Sequence, residues 1–90
     1  MVARRTKKPS NQALRIREVL MTHLGTMIRS KNLTQTEAAH WLGISQPRVS
    51  DLQRRRVDKF NIESLIRILG TAGVRVSVEL TDVKRTANHE

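Results

Sequence analysis

The sequence predicts an all-α bundle with one C-terminal β-strand that pairs across a dimer, and three observations carry that prediction. Apolar residues recur at intervals of three and four through residues 11–73. Helix-capping residues cut that pattern into separate helices. From Val74 to Leu80 the period changes to two. A chain of 90 residues supplies one hydrophobic core, because chains divide into separate domains only at several times this length. The expected organisation is a basic tail at 1–10, a helical unit at 11–73, a dimerisation strand at 74–80 and a polar tail at 81–90.

The tail carries Arg4, Arg5, Lys7 and Lys8 with almost nothing to bury, so chain entropy is expected to keep it mobile. It is either a soluble end or an arm that follows a DNA groove. The first helix opens at Asn11 and lines one face with Leu14, Ile16, Val19, Leu20, Leu24, Met27 and Ile28. Asn32 is expected to end it. The second opens at Thr34, whose hydroxyl caps a backbone amide while Glu37, three residues on, reaches back to the amide of Thr34. Gly43 stops that helix, since it takes positive φ without a steric penalty. Ser45 caps the third helix and Pro47 lies in its first turn, where a missing N–H costs nothing. Val49 and Leu52 point inward; Pro47, Ser50, Asp51 and Arg54 face outward, with Gln46 and Arg48 at the exposed N-terminal end. Asn61 caps the fourth helix, with Phe60 packing on Leu65 as a hydrophobic staple. Ile62, Leu65, Ile66, Leu69 and Ala72 form its apolar face, and Gly70 and Gly73 mark a frayed end. In the strand, Val74, Val76, Val78 and Leu80 alternate with Arg75, Ser77 and Glu79.

Charge and composition narrow the function. Lys plus Arg number 17 against 8 Asp plus Glu, a formal charge of +9 that points to a polyanionic partner. The aromatics are Trp41 and Phe60, too few to read a single strand by stacking successive bases. Double-stranded DNA is the better match. Cysteine is absent, which excludes disulfides, thiolate metal sites and cysteine nucleophiles. No apolar run reaches the roughly 18 residues needed to cross a bilayer, and charges occupy the place of a signal sequence. The expected location is cytoplasmic, on the nucleoid. His23 and His40 stand alone, without the second histidine or carboxylate that metal or acid–base chemistry needs. Helix surface is their expected place; no metal, no cofactor and no enzymatic activity are expected. Trp41 belongs to the core or to a dimer surface.

Residues 34–54 carry the most information. Two short helices joined by a glycine turn must cross closely, and Ala38, Ala39, Leu42, Gly43, Ile44, Val49 and Leu52 stand where a helix-turn-helix needs small, apolar or turn residues. The stretch LTQTEAAHWLGISQPRVSDLQRRRVDKFNIESLIRILGTAGVRVSVEL, residues 33–80, resembles the Xre, or lambda-repressor-like, helix-turn-helix proteins, and in particular their short antitoxin-type members. The resemblance implies a shortened helical domain that binds a palindromic operator as a homodimer and represses transcription. It also implies the antitoxin of a type II toxin–antitoxin pair, of the host-inhibition-of-growth kind, bound to a ribonuclease toxin. Arg55 departs from the pattern, because such relatives commonly carry glycine after the recognition helix.

The major groove of B-DNA admits an α-helix and distinguishes all four base pairs, so the helix from Gln46 to Gln53 is expected to enter it. Gln46 matches adenine's donor–acceptor pair, Arg48 reaches either a guanine or a phosphate, and Ser50 is short enough to sit close to base edges, with Pro47 beside it. The resemblance makes Gln35 a phosphate contact. Arg54, Arg55, Arg56 and Lys59 follow the reading helix, where the flanking backbone would lie, and are expected to set affinity. Asp51 would be repelled there unless it pairs with Arg54 or Arg55 or accepts from a cytosine; pairing is favoured.

A lone strand cannot satisfy its own backbone groups. A second copy can: an antiparallel ribbon centred on Ser77 places Arg75 opposite Glu79 of the other chain, twice by symmetry. Two further readings stand beside the repressor. One is a protein-interaction module whose main task is neutralising a toxin; the other is a stand-alone or phage-type regulator without a toxin.

Overall fold

The computed structural model describes residues 11–83 and contains four α-helices in the order predicted: α1 (Asn11–Ser30), α2 (Gln35–Leu42), α3 (Gln46–Gln53) and α4 (Ile62–Thr71), with a single turn of 3-10 helix at Val57–Lys59 before the last. The basic N-terminal segment and the end of the polar tail lie outside the described residues.

The start signals act as their chemistry dictates. Thr34 Oγ1 accepts from the Glu37 amide at 3.1 Å while Glu37 Oε1 accepts from the Thr34 amide at 2.9 Å, so two donors without helical partners are satisfied together. Ser45 Oγ accepts from the Arg48 amide, and Asn61 Oδ1 accepts from that of Ser64 at 2.7 Å. The four helices also share one way of stopping. Each is followed by a residue with left-handed backbone, Asn32, Gly43, Arg55 and Gly73. The amide after each turns back onto a carbonyl five residues earlier: Leu33 to Ile28, Ile44 to Ala39, Arg56 to Asp51 and Val74 to Leu69, at 2.8–3.1 Å. This is the closing bond of a Schellman motif, which satisfies carbonyls the helix leaves open. The fourth helix runs through Gly70 and stops at Gly73, so Gly70 marks no frayed end.

The core is one cluster drawn from every helix: Met21, Leu24 and Ile28 of α1, Ala38 and Leu42 of α2, Val49 and Leu52 of α3, then Phe60 with Leu65, Ile68 and Leu69 of α4. Burying each large side chain stabilises the fold by about 1.5–3 kcal/mol, enough for this cluster to dictate how the helices cross. Phe60 and Leu65 both sit in it, as a staple requires.

Two faces differ from expectation. On α1, Ile16 and Val19 remain 42% and 65% exposed, and Met21 fills the core instead. On α4, Ile66 is 40% exposed while Ile68 is buried. In both helices the apolar surface is wider than one contact stripe, and the surplus faces a shared groove. Ile16, Val19, Leu20, Ile62, Ile66 and Val76 line that groove, which has a volume near 480 Å³.

The expected strand at 74–80 is not formed within the chain, where 74–83 carry neither helix nor strand. The reason is that a ladder needs two strands, and among the described residues no other segment forms one. Val74 and Val76 pack on the core, whereas Val78 and Leu80 are 77% and 86% exposed. No backbone group of 75–83 makes a hydrogen bond among the described residues.

Candidate nucleic-acid interface

α2 and α3 pack against each other through Ala38, Leu42, Val49 and Leu52, all buried. The elbow between them is Gly43, at φ 70, where a side chain would be strained. Ile44, the residue after it, packs against the core. With its apolar side occupied, α3 presents the rest outward: Gln46, Pro47, Gln53 and Arg54 are exposed, and Arg48, Ser50 and Asp51 are half-buried.

Three glutamines meet on this surface. Gln46 Nε2 donates to Gln35 Oε1 at 3.4 Å, and Gln35 Nε2 donates to Gln53 Oε1 at 3.0 Å. The first contact joins two of the sequence-predicted residues. The second brings in Gln53, which is not among the residues expected from the sequence. Its spacing of seven from Gln46, two turns along one helical face, was the available signal.

Arg48 is held by the protein. Its Nη1 donates to the Lys59 carbonyl at 3.1 Å, and its guanidinium lies 4.2 Å from the Phe60 ring centroid, a cation–π contact. That tie fastens the first turn of α3 to the lead-in of α4. A second fastening comes from α1, where Arg17 Nη1 donates to the Val57 carbonyl at 3.1 Å. Its Nε is buried without a hydrogen-bond partner among the described residues.

Asp51 pairs with Arg56, at 3.9 Å, and not with Arg54 or Arg55 as expected. The helical spacing rule ends where the helix does. Arg55 takes φ 56, and that reversal carries Arg56 back over Asp51, whose carbonyl accepts the Arg56 amide at 3.0 Å. At the other three helix ends the equivalent residue is apolar: Leu33, Ile44 and Val74. Here an ion pair takes the place of the apolar contact. Arg54, Arg55, Arg56 and Lys59 are all exposed, so the cationic run beside α3 is open to solvent.

His23 and His40 sit exposed on helix surfaces. Trp41 is half-buried against the core, with the Lys31 ammonium 5.1 Å from its ring. Among the described residues there is no cluster of His, Cys, Asp or Glu able to hold a metal ion, and no helix is long and apolar enough to cross a membrane.

A family model described as a helix-turn-helix domain matches residues 6–81. The chain belongs to that helix-turn-helix family. A solved structure described as an XRE family transcriptional regulator shares 28% identity with this helix-turn-helix protein; the match covers 91% of this chain and 90% of that one, at a TM-score of 0.70. No curated protein matches the chain. The Xre type read from residues 33–80 and the helical helix-turn-helix fold both stand on these findings.

Proposed function

We propose that this Xre-type protein is a transcriptional repressor that binds a palindromic operator in double-stranded DNA as a homodimer. Family and fold are those of a DNA-binding regulator, whose task is binding and not catalysis. The observation that carries the finer reading is the outward side of α3. It is polar, with Gln46, Pro47, Gln53 and Arg54 exposed and Arg48, Ser50 and Asp51 half-buried, and it is flanked by the exposed Arg55, Arg56 and Lys59, which is the polarity a groove-entering helix needs. Gln46 reads a base; Pro47, Ser50 and Asp51 lie against the groove; Gln35 and the arginines hold phosphates, which position the helix without carrying sequence information. Arg48, fastened to Lys59 and Phe60, sets the pitch of α3. The protein works where the DNA is, in the cytoplasm on the nucleoid.

The homodimer is supported by the segment 74–80. Its backbone is without hydrogen bonds past Val74 among the described residues, and Val78 and Leu80 lie open to solvent. It borders a groove of apolar side chains from α1 and α4 that the monomer leaves uncovered. Pairing with a second copy through Arg75, Ser77 and Glu79 supplies the missing ladder and covers the surplus apolar surface. The antitoxin role, with a ribonuclease toxin as partner, is supported by the resemblance alone; a ribonuclease-like reading frame beside the gene would favour it over a stand-alone regulator.

Selection of bound duplexes from a random pool at physiological salt tests the repressor reading. Gln46→Ala should erase preference at one base position of each half-site while leaving general affinity in place; Arg48→Ala should weaken binding to all duplexes alike. A chain that selects no motif, or Gln46→Ala that selects the same motif, would overturn it.

A further inference from the structure

Resting on the reading of α3 as the helix that enters the groove, we propose that Gln53 is a positioning residue for base recognition: it decides which way round the Gln46 amide meets the base. An amide is asymmetric, with one end that only accepts and one that only donates. Gln53 presents Oε1 to Gln35, so Gln35 meets it with Nε2, at 3.0 Å. That turns Gln35 Oε1 toward Gln46, which must answer with Nε2, at 3.4 Å. The three side chains therefore run in one direction, with the Gln53 carbonyl oxygen as the terminal acceptor.

The consequence falls on Gln46. With one N–H committed to Gln35, it keeps a second N–H and its carbonyl oxygen for the DNA, in a fixed order. Adenine offers N7 as an acceptor and its N6 amino group as a donor in the major groove, and an amide matches that pair in one order only for a given helix pose. Released from the chain, the amide turns freely and spends part of its time in the wrong order. Gln53 acts at a distance, since seven residues of helix separate it from Gln46 by about 10 Å along the axis. Gln35 closes that gap because it stands at the start of α2, half-buried and steadied beside the Thr34 capping box. No direct contact between Gln53 and a base is needed.

The test uses the full chain and duplexes that it selects from a random pool, with base preference per half-site and affinity for a scrambled duplex measured separately. Gln46→Ala identifies the position that Gln46 reads. Gln53→Met keeps the length and removes the acceptor; it should lower preference at that same position by about two- to tenfold, the worth of one solvent-exposed hydrogen bond, with scrambled-duplex affinity and melting temperature unchanged. Gln53→Glu keeps an acceptor and should retain the preference, while its negative charge lowers affinity for all duplexes alike. Adding Gln53→Met to Gln46→Ala should cause no further loss there. If Gln46→Ala erases the preference and Gln53→Met leaves it intact, the proposal is overturned and the recognition reading survives. If Gln53→Glu loses the preference as Gln53→Met does, the directional argument fails. If Gln46→Ala itself changes no preference, the reading beneath falls and this proposal falls with it.

Discussion

Arg55 holds a left-handed backbone, φ 56, at a cost of about 1–2 kcal/mol that glycine would not incur. Its amide donates to the Leu52 carbonyl at 3.1 Å, so the conformation is imposed by the helix end and not by the side chain. Glycine at this place would avoid the strain; this protein keeps a cation there, exposed beside α3. Arg55→Gly should therefore stabilise the monomer by about 1 kcal/mol, raising the melting temperature by roughly 4–8 °C. The same change should remove one phosphate contact per protomer and flatten the salt dependence of DNA binding by about one unit of slope for each. A lower melting temperature would show that the backbone is not strained; an unchanged slope would show that Arg55 touches no phosphate. At this scale the sequence was legible wherever the chemistry is local. The caps at Thr34, Ser45 and Asn61 depend on residues three apart, and all three are formed. Asp51 pairs with Arg56 and not with Arg54 or Arg55 because the helical spacing rule ends at the left-handed Arg55. The contact of Gln53 is not legible in the sequence, because its partner comes from another helix.

Helices α1 and α4 show why periodicity finds an element more readily than its buried face. Both carry apolar residues over an arc wider than the core can cover, and a spacing of three and four is satisfied by either of two adjacent stripes. Packing chose Met21, Leu24 and Ile28 on α1 and Leu65, Ile68 and Leu69 on α4. Ile16, Val19 and Ile66 were left on the groove, although their spacing read as core. Helix α3 is shorter and buries only Val49 and Leu52, so its placement leans on attachments at its ends. Arg48, bonded to Lys59 and stacked on Phe60, is the attachment at the N-terminal end. Arg48→Ala should lower stability by about 1–2.5 kcal/mol, the sum expected of an exposed cation–π contact and one hydrogen bond. Arg48→Lys should recover only part of this, because an ammonium lacks the planar group that stacks on the ring. Urea unfolding at equal protein concentration measures both, and an unchanged midpoint in Arg48→Ala would show that α3 is held by its core contacts alone.

For the molecule as a whole, the proposed homodimer makes the segment after Gly73 decide whether one α3 helix or two face the DNA. Alternation over 74–80 was legible in the sequence, but a ladder is a property of two strands, and a single chain has only one to offer. An antiparallel ribbon about Ser77 juxtaposes Arg75 with Glu79 of the second chain, and symmetry repeats the pair. Other registers preserve the apolar face and lose this pairing, so charge reversal tells them apart. Glu79→Arg alone would set two like-charged pairs across the seam, and at roughly 0.2–1 kcal/mol per cross-strand pair the lost attraction and added repulsion should weaken dimerisation several-fold. Adding Arg75→Glu restores opposite charges with their places exchanged, and dimerisation should return to near its starting level. Sedimentation equilibrium over a concentration series measures each step. Operator affinity should fall and recover in parallel, because two helices held about 34 Å apart read a palindrome that one cannot. A ribbon in another register would give no rescue, since the second substitution would then add a further unpaired charge. A dimer indifferent to both substitutions would place the seam on α1 and α4 alone.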